Sequence, residues 1–385
     1  MSEQQEIMTE EASLWNKLSS ELQDRVLAFL PVLAFLKLRT VCKKWAALPS
    51  SQSFKNLCML VSPQPAYLLV CRRAHTFCTA YDQSLNTWYD LDLRFLDQLC
   101  LPHWQCPAGE VYHSIEAASG GLFFIWSHKS DGDPSLYSVC NPVTRAWRKL
   151  PSLPYYVVPL AVAMVTNRHT LAYKIFVAAD SAPETFLSPM AMQVQTSPMV
   201  MQVYESTTQC WRRLRLMPPF LDIVWSSAIC NEIMYVLSFD PCDLWSYDLN
   251  QDVWSKVEIQ VPYSLSMTLL VNCAGTLYLV GEVRGRNPRC ISIWQFDMAA
   301  RTCSEISQIP HPLFEDFATD ETYGMWSAIG HNNGIAFKNG VVRTLLYNVV
   351  QRSVHWLPDC RGNFEYDNGY SVYGYSTPLS FEATV

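Results

Sequence analysis

The segment from Cys100 to His113 contains the residue types that most often bind zinc. Thiolates and imidazoles are the preferred zinc ligands, and a closed site needs four of them in tetrahedral geometry. The four candidates fit no familiar zinc-binding spacing, and two prolines interrupt them. We therefore expect no metal and no other cofactor, and we interpret the segment as a loop. The candidates are Cys100, His103, Cys106 and His113.

Motifs for covalent catalysis are absent from the sequence. It contains no Gly-x-Ser-x-Gly, no glycine-rich phosphate loop and no His-Glu-x-x-His. Carboxylates are numerous, but no motif pairs them, so we assign no catalytic residue. A site assembled from distant loops is still compatible with the sequence.

Arginines are the clearest candidates for binding an anionic group. Guanidinium groups bind carboxylates and phosphates through paired hydrogen bonds. We predict a site for an acidic or phosphorylated segment of a protein target. An acidic loop, Phe314 to Tyr323, is expected beside them and could neutralise them, and the alternative is a solvated rim of charges. The arginines are Arg72, Arg73, Arg284, Arg286 and Arg289.

The composition is that of a folded chain with a large core. Of its 385 residues, 49% are hydrophobic and 16% are charged. The net charge of -7, without a long basic run, argues against sequence-independent nucleic-acid binding. Residues 1–11 are polar and acidic, unlike a signal peptide, and no apolar run has membrane-spanning length. We expect a disordered N-terminus over 1–11, no membrane association, and a cytoplasmic or nuclear location.

The 14 cysteines are scattered singly, without a Cys-x-x-Cys pair. In a chain without a secretory signal, we expect them to be reduced. Most should be buried and pack as small hydrophobic side chains.

Residues 15–54 show the spacing of short amphipathic helices. Ser20, with Gln23 three residues later, forms a capping-box pattern, and Pro31 ends the first helix. So small a module buries little surface. We therefore expect it to complete its core against a partner.

This module resembles an F-box of the type found in plant F-box/kelch-repeat proteins. The most specific part is the order Leu-x-Leu-Arg-x-Val-Cys-Lys-x-Trp, from Leu36 to Trp45, and one departure is Ser19 where many F-boxes have proline. The resemblance implies an F-box over residues 12–60 that docks onto a Skp-type adaptor and, through it, a cullin and a RING subunit. Cys42 and Trp45 could equally form the module's own core, and the whole module could be a helical cap. The expected adaptor contacts are Leu18, Leu22, Val26, Leu30, Pro31, Leu36, Val41, Cys42 and Trp45.

From Ala66 onward the chain repeats one hairpin pattern six times. A residue pair ends a strand, and the position six residues after the pair is tryptophan in the first four copies. Each copy is preceded by another strand-like run, and the copies recur near the ~50 residues of a kelch repeat. We predict a mainly β chain with a six-bladed, kelch-like β-propeller over residues 61–378. The second residues of the pairs are Asp82, Asn141, Glu205, Asp248, Asp297 and Asn348.

Blade one lacks an innermost strand at its N-terminal end. The aromatic stretch Tyr370–Thr377 is predicted to supply it, because such closure removes an exposed sheet edge. An alternative architecture has fewer blades, with residues 150–199 folded separately.

Three hypotheses for function follow. The resemblance favours the substrate-recognition subunit of a Skp–cullin–F-box ubiquitin ligase, whose propeller binds an unknown protein target. The second is an F-box scaffold that does not deliver substrates for degradation. The third is a propeller enzyme, such as a hydrolase or lyase. For target binding, the longest candidate loop is the insertion from Ser181 to Met199.

Overall fold

A computed structural model describes most of the chain and confirms a mainly β protein with a small helical N-terminal module. Several loops and both termini lie outside the described residues. The described residues are 14–61, 66–71, 77–99, 111–129, 136–153, 161–167, 170–180, 199–216, 224–238, 242–262, 265–283, 285–318, 326–339, 343–360 and 377–381.

In the described part of the N-terminal module, four α-helices follow a short helical segment at 14–17. Pro31 separates the first two helices, as expected from its missing N–H, and a 3-10 turn, Leu48–Ser50, joins the last two. The helices are α1 (Ser20–Ala28), α2 (Val32–Leu38), α3 (Lys43–Ala47) and α4 (Gln52–Leu60).

The cap of α1 is Ser19 rather than the predicted Ser20. Ser19 has an extended backbone, and its Oγ accepts a hydrogen bond of 3.3 Å from the Leu22 N–H. Ser20 is already helical, so its side chain cannot take this role. Gln23 does not complete a capping box; its amide donates to the carbonyls of Trp15 and Leu18.

A small aromatic core holds the module together. Phe35 and Phe54 stack with ring centroids 5.2 Å apart, and both are almost fully buried. Trp15 and Trp45 meet edge to face at 5.9 Å at the margin of this core. The module therefore has a core of its own, although a small one.

Six four-stranded antiparallel sheets form the blades of the propeller. Blade one contains β1 (Tyr67–Cys71), β2 (Phe77–Asp82), β3 (Thr87–Asp92) and the C-terminal β24 (Thr377–Phe381). Blade two contains β4 (Val111–Ser119), β5 (Leu122–Lys129), β6 (Leu136–Asn141) and β7 (Ala146–Lys149). Blade three contains β8 (Ala161–Thr166), β9 (Tyr173–Asp180), β10 (Met199–Glu205) and β11 (Cys210–Leu216).

The second half of the ring repeats this arrangement. Blade four contains β12 (Val224–Cys230), β13 (Ile233–Ser238), β14 (Leu244–Asp248) and β15 (Val253–Lys256). Blade five contains β16 (Leu265–Cys273), β17 (Thr276–Val283), β18 (Ile291–Asp297) and β19 (Thr302–Gln308). Blade six contains β20 (Ser327–His331), β21 (Gly334–Lys338), β22 (Thr344–Asn348) and β23 (Ser353–Trp356).

The C-terminal strand closes the ring. β24 pairs antiparallel with β1, with Leu69 opposite Leu379, and it contacts the inner strands of blades two and six. The predicted closing segment, Tyr370–Thr377, overlaps this strand only at Thr377, and residues 361–376 lie outside the described residues. Closure gives blade one its fourth strand.

A shared turn follows the third strand of each blade, counted outward from the inner strand, which in blade one is β24. In five blades the Asp or Asn that ends the strand accepts hydrogen bonds through Oδ1 from the N–H groups two and three residues later. Blade three has Glu205, whose longer side chain does not make this pair of bonds; there the Tyr173 N–H donates to Ser206 Oγ at 2.8 Å. The fourth residue after each strand has a left-handed backbone, although none is glycine: Asn86, Arg145, Gln209, Asp252, Arg301 and Arg352.

Tryptophans beyond the turns pack against the tyrosines that precede them. The ring centroids of Tyr81 and Trp88 are 5.2 Å apart, and those of Tyr247 and Trp254 are 4.8 Å apart. Where the tyrosine is replaced by Cys140, Trp147 is left partly exposed. The conserved spacing of the repeat thus reflects side-chain packing.

Two predictions about loops and cysteines need correction. The first part of the predicted acidic loop is helical instead, because α5 (His311–Ala318) buries Phe314 and Phe317 against blades five and six, while residues 319–323 lie outside the described residues. Ten of the described cysteines are free thiols, as predicted, but Cys78 is disulfide-bonded. None of the helices in the described ranges is long and apolar enough to cross a membrane.

Candidate protein-binding surfaces

One face of α1 carries apolar side chains that the fold leaves exposed. Leu22 is 47% exposed, Val26 46% and Phe29 59%. The intervals of four and three residues place all three on one face of the helix, while Leu27 and Ala28 point into the module. Phe29 was not among the predicted contacts, although its spacing from Val26 could have indicated it. We call Leu22, Val26 and Phe29 the α1 stripe.

Val41 adds a fourth exposed apolar side chain between α2 and α3, with 63% of its surface accessible. The next residue, Cys42, caps α3: its Sγ accepts a hydrogen bond of 3.5 Å from the Trp45 N–H. Cys42 is exposed and is therefore not part of the module's core.

The remaining predicted adaptor contacts divide between core and surface. Leu30 and Trp45 pack against the module's core, and Leu18 is partly buried. Pro31 is exposed and precedes α2, where its fixed φ suits the helix start. Leu36 lies in α2, but its side chain is outside the described residues.

Polar contacts fix α3 against α1. Lys44 Nζ donates to Ser20 Oγ at 2.8 Å and lies 3.4 Å from Asp24 Oδ1. These contacts are solvent-exposed and contribute little stability individually. They nevertheless connect α3 to α1.

Helix α2 attaches the module to the propeller. Val32 is buried in the core shared by blades one and two. Lys37 Nζ lies 4.4 Å from the centroid of the Tyr89 ring, and Arg39 donates to the Val143 carbonyl at 2.9 Å. Val143 belongs to the turn between β6 and β7, so the module sits at the face that carries these turns, hereafter the turn face.

The loops between second and third strands emerge on the opposite face, because antiparallel strands alternate direction. Arg286 and Arg289 lie there, in the loop between β17 and β18. Both are paired within blade five: Arg286 donates to both carboxylate oxygens of Glu305 at 2.9 and 3.3 Å, and Arg289 donates to Glu282 at 2.6 Å. Arg286 lowers the pKa of the Glu305 carboxyl, which keeps that partner charged.

The predicted arginine site is therefore only partly described, and its described members are already neutralised. The neutralising partners come from blade five itself rather than from the acidic segment, whose Asp316 pairs with Arg343 at 2.9 Å. Arg72, Arg73 and Arg284 lie outside the described residues. The same holds for most of the insertion from Ser181 to Met199.

The segment considered for zinc contributes one described residue. His113 Nδ1 lies 2.8 Å from Ser127 Oγ, and both side chains are buried within blade two. Cys100, His103 and Cys106 lie outside the described residues, and the described part of the chain contains no group of three side chains suited to a metal.

A helical F-box followed by a closed six-bladed propeller defines the class of F-box proteins that carry a β-propeller. Residues 15–57 match the F-box domain model. Residues 97–316, more than half of the chain, match the family described as KIB1-4 beta-propeller. The chain belongs to this family and carries an F-box before its propeller.

Three relatives from Arabidopsis thaliana are similar along most of the chain. F-box only protein 6 is 24% identical, covering 90% of this chain and 70% of the relative. Protein UNUSUAL FLORAL ORGANS is 22% identical, covering 90% and 79% respectively. A protein named as an F-box/kelch-repeat protein is 25% identical, covering 83% and 78%.

Proposed function

We propose that this protein is the substrate-recognition subunit of a Skp–cullin–F-box ubiquitin ligase. The F-box binds a Skp-type adaptor, which links it to a cullin and a RING subunit, and the propeller binds the protein target. The observation that carries the proposal is the exposed α1 stripe together with Val41. Large apolar side chains grouped on one helix face favour a protein partner.

The size of the stripe supports specific binding. Fully burying an exposed side chain of this size contributes roughly 1.5–3 kcal/mol, and about half of each surface is still available here. Three on α1 and a fourth beside them supply enough apolar surface to drive association, because the module is already folded around its own core.

The attachment of the F-box also fits a receptor. Val32, Lys37 and Arg39 hold the module against blades one and two, so it cannot turn freely relative to the propeller. A target bound by the propeller would be held at a set position relative to the ligase core. The subunit then raises the target's effective concentration without covalent chemistry of its own.

The proposal is tested by titrating purified Skp-type adaptor into the full chain in a calorimeter. The variant Leu22→Asp with Val26→Asp places two charges on exposed positions and should leave the fold intact. Since two apolar contacts are lost, we expect binding at least about 100-fold weaker. The matched control, Leu85→Asp with Val350→Asp, changes two exposed apolar residues in turns of blades one and six. It should bind like the original protein.

Two results would contradict the proposal. Absence of adaptor binding by the unchanged chain would leave the module as a helical cap on the propeller. Adaptor binding without cullin in the complex, and without a change in target abundance on depletion, would favour the scaffold hypothesis. A receptor of this kind would act in the cytoplasm or nucleus, which fluorescence microscopy of the tagged protein would test.

A further inference from the structure

Basic side chains are concentrated at the outer rim of blades two and three. The basic residues with described side chains in these blades outnumber the acidic ones by six to two, Glu116 and Glu205. All six are exposed, in a chain whose net charge is -7. We call them the basic rim: Arg145, Arg148, Lys149, Lys174, Arg212 and Arg213.

Contacts between blades hold part of the basic rim in place. Arg148 donates to Gln209 Oε1 at 2.7 Å, which joins β7 of blade two to the turn before β11 of blade three. Trp211 supports the same junction by donating to the Pro151 carbonyl at 2.8 Å. Arg148 is thus oriented by an uncharged amide, so this contact leaves its positive charge uncompensated.

Glu205 and Asp252 compensate only a part of the charge of Lys174 and Arg212. Glu205 lies 3.3 Å from Arg212 and 3.9 Å from Lys174, and Asp252 of blade four lies 3.8 Å from Arg212. Arg212 stays 53% exposed and Lys174 47%. Arg148 differs from Arg286 and Arg289 of blade five, each of which has a glutamate partner.

We propose that the basic rim binds an acidic polypeptide segment. Exposed cations held across a blade junction match carboxylates spaced along an extended chain. A long nucleic acid fits less well, since acidic residues border the rim on both sides: Asp90 on blade one, and Glu232, Asp248 and Asp252 on blade four. The site for an acidic segment thus lies on blades two and three and not at the arginines of blade five.

The rim also lies beside the F-box. Arg145 is in the same turn as Val143, whose carbonyl accepts the hydrogen bond from Arg39. An acidic segment on the rim would therefore be bound at the F-box side of the propeller. Binding of an acidic segment by the basic rim does not require adaptor binding, because none of the six residues belongs to the F-box.

Fluorescence anisotropy with the full chain and a labelled oligoglutamate of about eight residues tests the inference. The variant Arg148→Gln/Lys174→Gln/Arg213→Gln removes three charges from the rim. We expect it to bind about tenfold or more weakly, and we expect binding by the original protein to weaken strongly between about 50 and 200 mM salt. The control, Arg301→Gln/Arg343→Gln/Arg352→Gln, removes the same charge from blades five and six.

Each contrary outcome overturns the inference. Equal loss in both variants would mean that net charge alone governs binding, and absent binding at low salt would mean that the rim has no such partner. Tighter rim-dependent binding of a labelled single-stranded DNA of equal charge would assign the surface to nucleic acid instead. Thermal unfolding of each variant shows whether the fold is kept. None of these outcomes changes the expected result of the adaptor titration, which tests the F-box.

Discussion

At the scale of single residues, side-chain environment separates residues that the sequence pattern treats alike. Leu22 and Val26 are followed by two candidates for the next helical contact, Phe29 and Leu30, and both spacings are helical. The structure exposes Phe29 and packs Leu30 against the core of the F-box. Helical periodicity alone does not distinguish the two, because it does not show which side chain faces the partner and which faces the core.

His331 shows what burial does to a titratable side chain. His331 is the last residue of β20, and its side chain is almost fully buried. Its Nε2 lies 3.1 Å from the Asn332 amide nitrogen, and its Nδ1 has no hydrogen-bond partner among the described residues. Burial disfavours the charged imidazolium and lowers the pKa of His331 from 6.5 to about 4.

We predict an acid-sensitive stability that depends on His331. The unfolded chain binds the proton below about pH 6.5 and the folded chain only near 4, so stability is full above pH 6.5 and falls as the pH drops between these values. The shift of about 2.5 pKa units corresponds to roughly 3 kcal/mol of unfolding free energy. Urea unfolding at several pH values should show this fall, and His331→Gln should show less of it. An equal fall in the variant would assign the pH dependence to other groups.

At the scale of elements, the turns and inner strands carry the repeat. In five blades the Asp or Asn that ends the third strand acts through its own Oδ1, which is why this residue type recurs at that position in the sequence. The close packing of the inner strands produces no comparable repeating pattern in the sequence. At Gly330 an added Cβ would lie 1.7 Å from the Asn272 carbonyl oxygen of β16.

We predict that Gly330→Ala strongly destabilises the propeller. The clash is with backbone, so β20 and β16 would have to move apart, at a cost of roughly 3 kcal/mol or more. Gly334→Ala in the adjacent β21 is the milder comparison, because its nearest contacts, the side-chain end of Leu346 at 2.9 Å and the Tyr347 carbonyl oxygen at 3.0 Å, are much less close. Denaturant unfolding should give a much lower unfolding free energy for Gly330→Ala than for Gly334→Ala. Equal losses would show that the inner strands separate easily.

At the scale of the whole molecule, the two ends of the propeller meet in one blade. β24 comes from the C-terminus and pairs with β1, the first strand after the F-box. Contact of β24 with β4 and β20 places it between blades two and six, so the ring depends on a strand encoded far from its neighbours.

We predict that removing residues 377–385 opens the ring. The inner edge of β1 would lose its partner and present unpaired backbone groups to other chains. The shortened protein should unfold less cooperatively and form oligomers in size-exclusion chromatography. A chain lacking only residues 382–385 keeps β24 and serves as the control. Unchanged thermal unfolding after the longer deletion would show that closure contributes little.

The sequence by itself determined the parts of this protein that depend on neighbours along the chain. The order from Leu36 to Trp45 resembles an F-box. The spacing from Asp82 to Trp88 and its repeats indicated six blades, because turns and hairpins are built from local contacts. Only the tertiary structure decided which apolar residues of the F-box face solvent, and that Arg286 and Arg289 pair with glutamates. It also decided that the basic rim forms across a blade junction. Those properties depend on packing between segments distant in sequence, which no local pattern encodes.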